Sequence, residues 1–235
     1  MKNALYMNDS YTKEFEASVE NVKDDKFIVL DKTAFYPTGG GQPHDTGMMI
    51  LNNEQYPVVY VGKFDGNISH EVAKPGLKAG DKVLCRIDWD RRYRLMRMHT
   101  AAHIIDAVVY QKANALCTGN QIGVDKTRID FSVESLDREK MQQYIMTANE
   151  IAKKAIEVKI YFMKRDEALK IPGIVKLAAA TPPNVEELRI VEIPNVDIQA
   201  DGGTQVKNTA EIGEIQFLSV ENRGKNNKRV YYTIY

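Results

Sequence analysis

The chain has 235 residues, 43% of them hydrophobic and 27% charged, with 32 basic and 32 acidic side chains. This composition is that of a globular protein with one large domain or two modest ones. Zero net charge excludes binding of nucleic acid through overall positive charge, so such binding would depend on a local basic patch. No run approaches the ~20 apolar residues of a membrane helix, and no secretory signal is recognisable. Together with two distant cysteines, Cys85 and Cys117, these features predict a cytoplasmic protein without disulfides or a membrane partner.

The first part of the chain, residues 1–89, has the pattern of β structure. Short strand-like runs are separated by turn signals such as Asp65-Gly66-Asn67 and Lys74-Pro75-Gly76. We predict strands at residues 27–30, 48–51, 56–61 and 83–88. Several short strands at close spacing favour a small barrel or sandwich, so we expect an N-terminal β domain.

From Asp90 onward the pattern changes to an alternation of helices and strands, which defines a second predicted domain over residues 90–235. We predict helices at residues 91–113, 137–157 and 166–169. Strands are expected at residues 127–133, 158–163, 188–193, 214–221 and 229–235, with a loop at residues 197–209. The apolar residues of the two long helices recur with a period of 3.6. This order predicts an α+β domain, with helices packed on a mostly antiparallel sheet.

Two of the four histidines, His99 and His103, are four residues apart in the first predicted helix. Side chains at i and i+4 lie on one helix face, so both imidazoles can reach one metal ion. The pair also lies at the edge of the helix's apolar stripe, which makes two hydrogen-bonded core histidines the structural alternative. A metal site requires further ligands from elsewhere in the chain.

Basic residues form two clusters, either of which offers the local positive charge that nucleic acid phosphates require. The first cluster precedes the histidine pair and contains Arg91, Arg92, Arg94 and Arg97. The second cluster, near the C-terminus, contains Arg223, Lys225, Lys228 and Arg229, and Lys207 lies between the two. We expect some arginines of the first cluster to contact phosphates, and a solvated face is the structural alternative.

Four segments carry distinctive motifs: residues 33–47, which contain Gly39-Gly40-Gly41, residues 92–103, residues 118–131 and residues 197–213. In this order they resemble the motifs of the AlaX-type alanyl-tRNA editing proteins and of the editing half of alanyl-tRNA synthetase. The resemblance spans nearly the whole chain. It implies the layout of the longer AlaX proteins, in which a small β-barrel domain precedes the editing domain.

The resemblance also implies a zinc site, with one departure from the family pattern. The family's closing block usually reads Cys-Gly-Gly-Thr-His, and its cysteine and histidine complete the site. Here Asp201 and Gln205 occupy these positions; a carboxylate is a competent zinc ligand, whereas a neutral amide is a poor one. The expected ligands are therefore His99, His103 and Asp201, with Gln205 doubtful, and another divalent metal is an alternative to zinc. In the structural alternative the metal site is lost and Asp201 caps a turn.

Further site residues follow from the same resemblance. The substrate pocket is expected to contain Thr118, Asn120, Gln121, Thr204, Gly39, Gly40 and Gly41. Thr118 is the nearest match to a hydroxyl residue that recognises serine, and a solvated loop is the alternative for residues 118–121. Among the basic residues, those expected to bind tRNA are Arg91, Arg94, Arg97 and Lys207.

The implied activity is hydrolysis of the aminoacyl ester of tRNA(Ala) mischarged with serine. The same tRNA mischarged with glycine is the second implied substrate. No separate nucleophile-and-base pattern is evident, so the catalytic residue is left open: a metal could activate water, anchor the substrate amino group, or do both. Two other functions remain open. One is a tRNA-binding protein that has lost catalysis, and the other is editing of another tRNA such as mischarged tRNA(Thr). The sequence does not distinguish a monomer from a homodimer.

Overall fold

The structure, a computed structural model, describes residues 3–174 and 184–235. It divides into two compact units, Met1–Arg94 and Leu95–Tyr235. The first unit contains a closed six-stranded antiparallel barrel, and the second contains helices and two antiparallel sheets. The predicted α+β class with an N-terminal barrel is therefore confirmed. Among the described helices, none is long and apolar enough to cross a membrane.

The barrel contains six strands, joined in the order β1-β2-β5-β4-β3-β6. Their bounds are β1 (Glu14–Lys23), β2 (Phe27–Leu30), β3 (Gly47–Leu51), β4 (Glu54–Phe64), β5 (Asn67–Val72) and β6 (Lys82–Ile87). The sequence did not predict β1 and β5, because only alternate residues of β1 are apolar and β5 is largely polar. Phe15, Ala17 and Val19 of β1 are buried, which is the period-2 pattern of a strand with one face in the core.

The core of the barrel is apolar and includes one cysteine. The fully buried side chains include Ile28, Phe35, Met49, Val61 and Cys85. Burial of each large apolar side chain contributes about 1.5–3 kcal/mol to folding. Burial also raises the pKa of the Cys85 thiol to about 12, so this thiol is protonated and unreactive at neutral pH.

The second unit combines helices with two sheets. The helices are α1 (Trp89–Ala113), which begins in the first unit, α2 (Arg138–Ala152) and α3 (Arg165–Ala168). The strands are β7 (Cys117–Gln121), β8 (Thr127–Phe131), β9 (Lys159–Lys164), β10 (Glu187–Ile193), β11 (Asp197–Ala200), β12 (Ile215–Gly224) and β13 (Asn227–Ile234). One sheet has the order β12-β13-β8-β7, and the other has the order β11-β10-β9. Strand β11 lies at the start of the predicted loop at residues 197–209, and β7 was not predicted as a strand.

Helix α2 packs against strand β12 of the four-stranded sheet. The Asp137 side chain caps its N-terminus by accepting a hydrogen bond from the Lys140 N–H at 2.8 Å. The Asn149 side chain donates to the Ile215 carbonyl and accepts from the Ile215 N–H, both at 2.8 Å, which fixes the helix on β12. The helix is shorter than predicted: Ala155 has a φ of 53°, outside the helical region.

Candidate metal centre

The ligand atoms of His99, His103 and Asp201 lie within 4.8 Å of one another. The distance from His99 Nε2 to Asp201 Oδ1 is 3.7 Å, and that from His103 Nε2 to Asp201 Oδ2 is 3.9 Å. The two imidazoles are stacked one helical turn apart on α1, with centroids 5.3 Å apart. Because zinc–nitrogen and zinc–oxygen bonds are about 2.0–2.2 Å long, this arrangement is compatible with one shared ion.

Asp201 follows β11 directly and is fixed through both its backbone and its side chain. Its N–H donates to the Arg189 carbonyl at 3.1 Å, and its own carbonyl accepts from Arg189 Nη1 at 2.8 Å. Its Oδ2 accepts from the Gly203 N–H at 2.9 Å. Asp201 therefore orders the turn at Gly202-Gly203, as in the structural alternative, while its Oδ1 faces His99.

A second carboxylate, Asp197, orients His103, and the sequence analysis did not identify it. Asp197 Oδ2 lies 2.8 Å from His103 Nδ1, so the opposite ring nitrogen faces the cluster. Gln199 Nε2 donates to Asp197 Oδ2 at 3.1 Å and to Asp106 Oδ2 at 2.9 Å. Such a carboxylate behind a histidine is the usual support of a metal-ligating imidazole. Asp197 begins the closing block, but no local pattern distinguishes it from the other loop aspartates.

Gln205 joins the cluster through its amide nitrogen. Its Nε2 lies 3.0 Å from Asp201 Oδ2 and 3.2 Å from His103 Nε2. Its Oε1 accepts from the Thr100 hydroxyl at 2.7 Å, and that hydroxyl in turn accepts from the Val206 N–H at 3.1 Å. An amide nitrogen has no lone pair available for a metal ion, so in this arrangement Gln205 supports the cluster as a hydrogen-bond donor.

The electrostatic environment of the cluster favours a positive charge. Burial lowers the pKa of His99 to about 4, so its imidazole is neutral. Burial disfavours charge on Asp201 as well, but His99, His103 and Arg189 together hold its pKa well below the usual range. For His103, the carboxylates of Asp197 and Asp201 outweigh burial and raise the pKa to about 10. The same negative field that favours a proton on His103 favours a metal ion.

The donor set fits a divalent metal. Two imidazoles and one carboxylate form the three-ligand set of many catalytic zinc sites, in which the fourth position belongs to water or substrate. His99 and His103 are 5% exposed, so the cluster is shielded but not sealed from solvent. His99, His103 and Asp201 are thus the residues that would hold the ion.

Three other residues expected in the pocket, Thr118, Asn120 and Gln121, lie on different faces of β7. Thr118 and Gln121 are exposed, and Gln121 Oε1 accepts from Arg128 Nε at 3.1 Å. Asn120 pairs with Ile129 on the core-facing side of the strand. Its Oδ1 is buried and has no hydrogen-bond partner among the described residues. Thr204, in the closing block, is fully buried.

The glycine-rich segment of the first unit forms a tight hairpin turn. Gly39 and Gln42 exchange backbone hydrogen bonds of 3.1 and 2.9 Å. Gly40 and Gly41 have φ values of 58° and 82°, so the turn is of the mirror-image type that favours glycine at both central positions. The Tyr36 hydroxyl donates to the Gly39 carbonyl at 2.9 Å and holds the turn in place. The segment is therefore an ordered turn.

Arg92 was expected among the arginines that contact phosphates, and its buried position shows that this expectation is wrong. Its side chain is fully buried and its guanidinium binds both oxygens of Asp45. It also donates to the carbonyls of Ser10 and Ala34. A buried guanidinium with this set of partners cannot reach an external phosphate, so Arg92 serves the fold of the first unit.

Two of the expected tRNA-binding arginines also bind backbone carbonyls. Arg91 donates twice to the His44 carbonyl, at 3.1 and 3.2 Å. Arg97 donates to the Ile212 carbonyl at 2.8 and 3.1 Å and to the Tyr235 carbonyl at 2.7 Å. Lys207 is exposed. The guanidinium of Arg97 thus links helix α1 to the C-terminal residue of the chain.

Comparison with known proteins assigns the family. Residues 3–91 match the model of "tRNA synthetases class II (A)", and residues 188–231 match "Threonyl and Alanyl tRNA synthetase second additional domain". The alanyl-tRNA editing protein AlaX-M of Saccharolobus solfataricus is 52% identical over 237 residues, and that of Methanosarcina barkeri is 49% identical over 241. Each alignment covers 100% of this chain and 99% of the relative. The alanine–tRNA ligase of Pyrococcus abyssi is 38% identical over 221 residues, which cover 92% of this chain and 24% of the ligase. The chain therefore belongs to the AlaX-M family of alanyl-tRNA editing proteins.

Proposed function

We propose that this chain hydrolyses the ester between serine and the terminal ribose of mischarged tRNA(Ala), and that Gly-tRNA(Ala) is a second substrate. The observation that carries the proposal is the convergence of His99, His103 and Asp201 within 4.8 Å, in the unit whose residues 188–231 match the synthetase additional domain. As a member of the AlaX-M family, the chain is a deacylase of aminoacyl-tRNA. The substrates and the metal are the finer part of the proposal.

The need for this hydrolysis follows from the limits of apolar recognition. A synthetase pocket built for a small apolar side chain cannot strongly reject a side chain of similar size that carries a hydroxyl group. Hydrolysis of the wrong ester restores the missing discrimination. The reaction consumes one water molecule, breaks the bond between the acyl carbon and the ribose oxygen, and releases free amino acid and tRNA.

Zinc, or another divalent ion held by the cluster, would polarise the ester carbonyl or lower the pKa of a water molecule when bound. The protein orients and restrains the side chains that would bind the ion. Asp197 turns the His103 imidazole so that Nε2 faces Asp201. Gln205 directs an N–H group at Asp201 Oδ2, which limits the movement of this carboxylate.

The substrate pocket is proposed to include Asn120, whose buried Oδ1 is an acceptor without a protein donor among the described residues. A hydroxyl or ammonium group of the substrate would satisfy it, and the free energy of leaving such an atom unpaired is about 1–3 kcal/mol. The other proposed pocket residues are Thr118, Gln121, Thr204, Gly39, Gly40 and Gly41. The proposed tRNA contacts are Arg91, Arg94, Arg97 and Lys207, and the proposed compartment is the cytoplasm.

The decisive experiment is deacylation of Ser-tRNA(Ala), Gly-tRNA(Ala) and mischarged Ser-tRNA(Thr), with and without a chelator. We expect Ser-tRNA(Ala) to be hydrolysed fastest, and chelation to abolish the reaction until zinc is restored. Asp201→Asn should lose activity and bound metal. The control Asp166→Asn makes the same chemical change at an exposed residue of α3 and should retain both. Hydrolysis that survives chelation, or a preference for Ser-tRNA(Thr), would overturn the proposal.

A further inference from the structure

One face of the four-stranded sheet carries an excess of basic side chains. In the register of the sheet, Arg229 lies beside Asp130, and Tyr231 lies beside Arg128. Strand β12 places Glu221 beside Arg229 and Ser219 beside Tyr231. These residues alternate with the buried residues Ile129, Val230 and Tyr232, so they share the face opposite the core. We call Lys126, Arg128, Arg223, Arg229 and Tyr231 the basic sheet face.

The centre of this face holds two arginines on one carboxylate. Arg229 Nε donates to Asp130 Oδ1 at 2.7 Å and its Nη2 donates to Oδ2 at 2.9 Å. Arg128 Nη1 donates to the same Oδ2 at 2.9 Å. One negative charge therefore orients two positive charges, and the pair retains net positive charge with both guanidinium planes held in place.

Two further cations border this centre. The Lys126 ammonium lies 5.0 Å from the centroid of the Tyr231 ring. Arg223 Nη1 lies 3.9 Å from Glu221 Oε2, and both of these side chains are about half exposed. An exposed ion pair of this kind is weak and exchanges readily with other anions. The four basic residues of the face thus exceed its two carboxylates, Asp130 and Glu221, although the chain as a whole is neutral.

The face is also accessible. Helix α2 is fixed on the other side of the sheet, where Arg138 packs over the Phe217 ring at 5.3 Å. On β7, the residue beside Asp130 is Gly119, which has no side chain, and Gln121 lies beside Arg128, where its Oε1 accepts from Arg128 Nε at 3.1 Å. The side chains of Arg128 and Arg229 remain 28% and 18% exposed. Both guanidinium groups are therefore partly accessible to a ligand.

We infer that the basic sheet face binds the sugar-phosphate backbone of the tRNA substrate; this inference rests on the proposed function. Arginine forks match phosphate oxygens in geometry and charge, and fixed guanidinium planes lose little entropy when they bind. Backbone contacts position a nucleic acid without reading its sequence. The face therefore supplies affinity for tRNA, and the chemistry at the ester is left to the metal centre.

The test compares two variants with equal loss of charge in the full-length protein. Lys126→Gln/Arg223→Gln removes two exposed cations from the basic sheet face, whereas Lys112→Gln/Lys153→Gln removes two exposed lysines from the ends of α1 and α2. Binding of uncharged tRNA(Ala) is measured over a range of salt concentrations. We expect the face variant to bind about tenfold more weakly and to flatten the salt slope by about 0.7–0.9 per lost phosphate contact. The control should keep the wild-type slope.

A second substrate separates this inference from the proposed function. The seryl ester of adenosine offers the reacting ester without a phosphate backbone, so the face variant should hydrolyse it at the wild-type rate. Equal slopes in the two variants, or an equal loss of activity on the seryl adenosine ester and on Ser-tRNA(Ala), would overturn the inference. If the wild-type protein hydrolyses neither substrate while the slopes still differ, the proposed function fails and the tRNA surface stands.

Discussion

Each unit contains a buried cluster of charged side chains, one around Asp45 and one around Asp201, and these two clusters differ in how their polar atoms are arranged. In the first unit, the Arg92 guanidinium binds Asp45 and two backbone carbonyls, and Asp45 also accepts the Tyr36 N–H at 2.6 Å. In the second unit, Asp201 lies 3.7 and 3.9 Å from the two imidazoles. These separations exceed a normal hydrogen bond and suit a shared ion.

The difference separates a structural cluster from a functional one. A buried ion pair whose groups bind each other and nearby backbone atoms has no capacity left for a ligand, so its contribution is to the fold. A cluster whose two imidazoles and carboxylate converge on one point without direct contact can bind a cation. The predictions below test this distinction, from the largest expected effect to the smallest.

Breaking the buried Arg92–Asp45 pair should lower the free energy of unfolding more than any of the other substitutions below. Arg92→Met leaves Asp45 buried without its cation, and we expect the free energy of unfolding of the first unit to fall by about 3–5 kcal/mol. Fluorescence of Trp89, the single tryptophan of the chain, reports this unfolding in urea. The matched control is Arg86→Met, whose ion pair with Glu14 is exposed and whose loss should cost no more than about 1 kcal/mol. Similar small losses in both variants would contradict the structural role of Arg92.

Removing the charge behind His103 should weaken the metal centre. In Asp197→Asn the carboxylate that orients the imidazole becomes a neutral amide, and we expect zinc affinity to fall by about 10–100-fold. Titration against a competing chelator measures this change. Asp166→Asn, the exposed control on α3, should bind zinc as the wild type does. Unchanged affinity in Asp197→Asn would mean that Asp197 serves only the fold.

The barrel also contains a buried histidine that binds no carboxylate among the described residues, and its burial predicts that stability depends on pH. His70 Nε2 lies 2.9 Å from the Thr33 hydroxyl and its Nδ1 lies 2.9 Å from the Ile28 carbonyl. Burial lowers the pKa of His70 to about 4, so below pH 6.5 the unfolded state binds a proton that the folded state does not. Stability is therefore present above pH 6.5 and is lost as the pH falls toward 4. Between pH 7 and pH 5 the loss should be about 2 kcal/mol.

Urea unfolding followed by Trp89 fluorescence tests this pH dependence. His70→Asn removes the titrating group, and although the variant is less stable at pH 7, its stability should fall less steeply between pH 7 and pH 5. The same steepness in wild type and variant would show that other groups cause the loss.

Restoring the family's ligand types at positions 201 and 205 should strengthen zinc binding. Gln205→His replaces an amide nitrogen that cannot bind zinc with an imidazole, so zinc affinity should rise by about tenfold, equivalent to about 1.4 kcal/mol. Asp201→Cys should raise it further, because zinc prefers a thiolate to a carboxylate oxygen. Competition with a chelator measures both changes. Equal or weaker affinity in the double variant would show that the two positions do not point at the metal.

The sequence predicted the two long helices from their apolar period, and it missed strands in which apolar residues only alternate, as in β1, or are few, as in β5, β7 and β11. The predicted bounds of α1 and β2 agree with the observed ones to within two residues, whereas α2 ends at Ala152, five residues earlier than predicted. Strands β7 and β11 are short and polar, so their sequences resemble loops, and they form strands because β8 and β10 pair with them. Strand formation that depends on packing against a partner strand leaves little mark on the strand's own local pattern.

By itself, the sequence determined the α+β class, the order of the motifs, and a set of candidate metal ligands anchored by the i, i+4 spacing of His99 and His103. Only the tertiary structure decided which neighbours these residues meet. It placed Asp197 behind His103, turned the Gln205 amide nitrogen toward Asp201, and buried Arg92 against Asp45. The physical reason is that helical spacing acts over one turn of chain, whereas a hydrogen bond or ion pair between distant segments depends on how they pack.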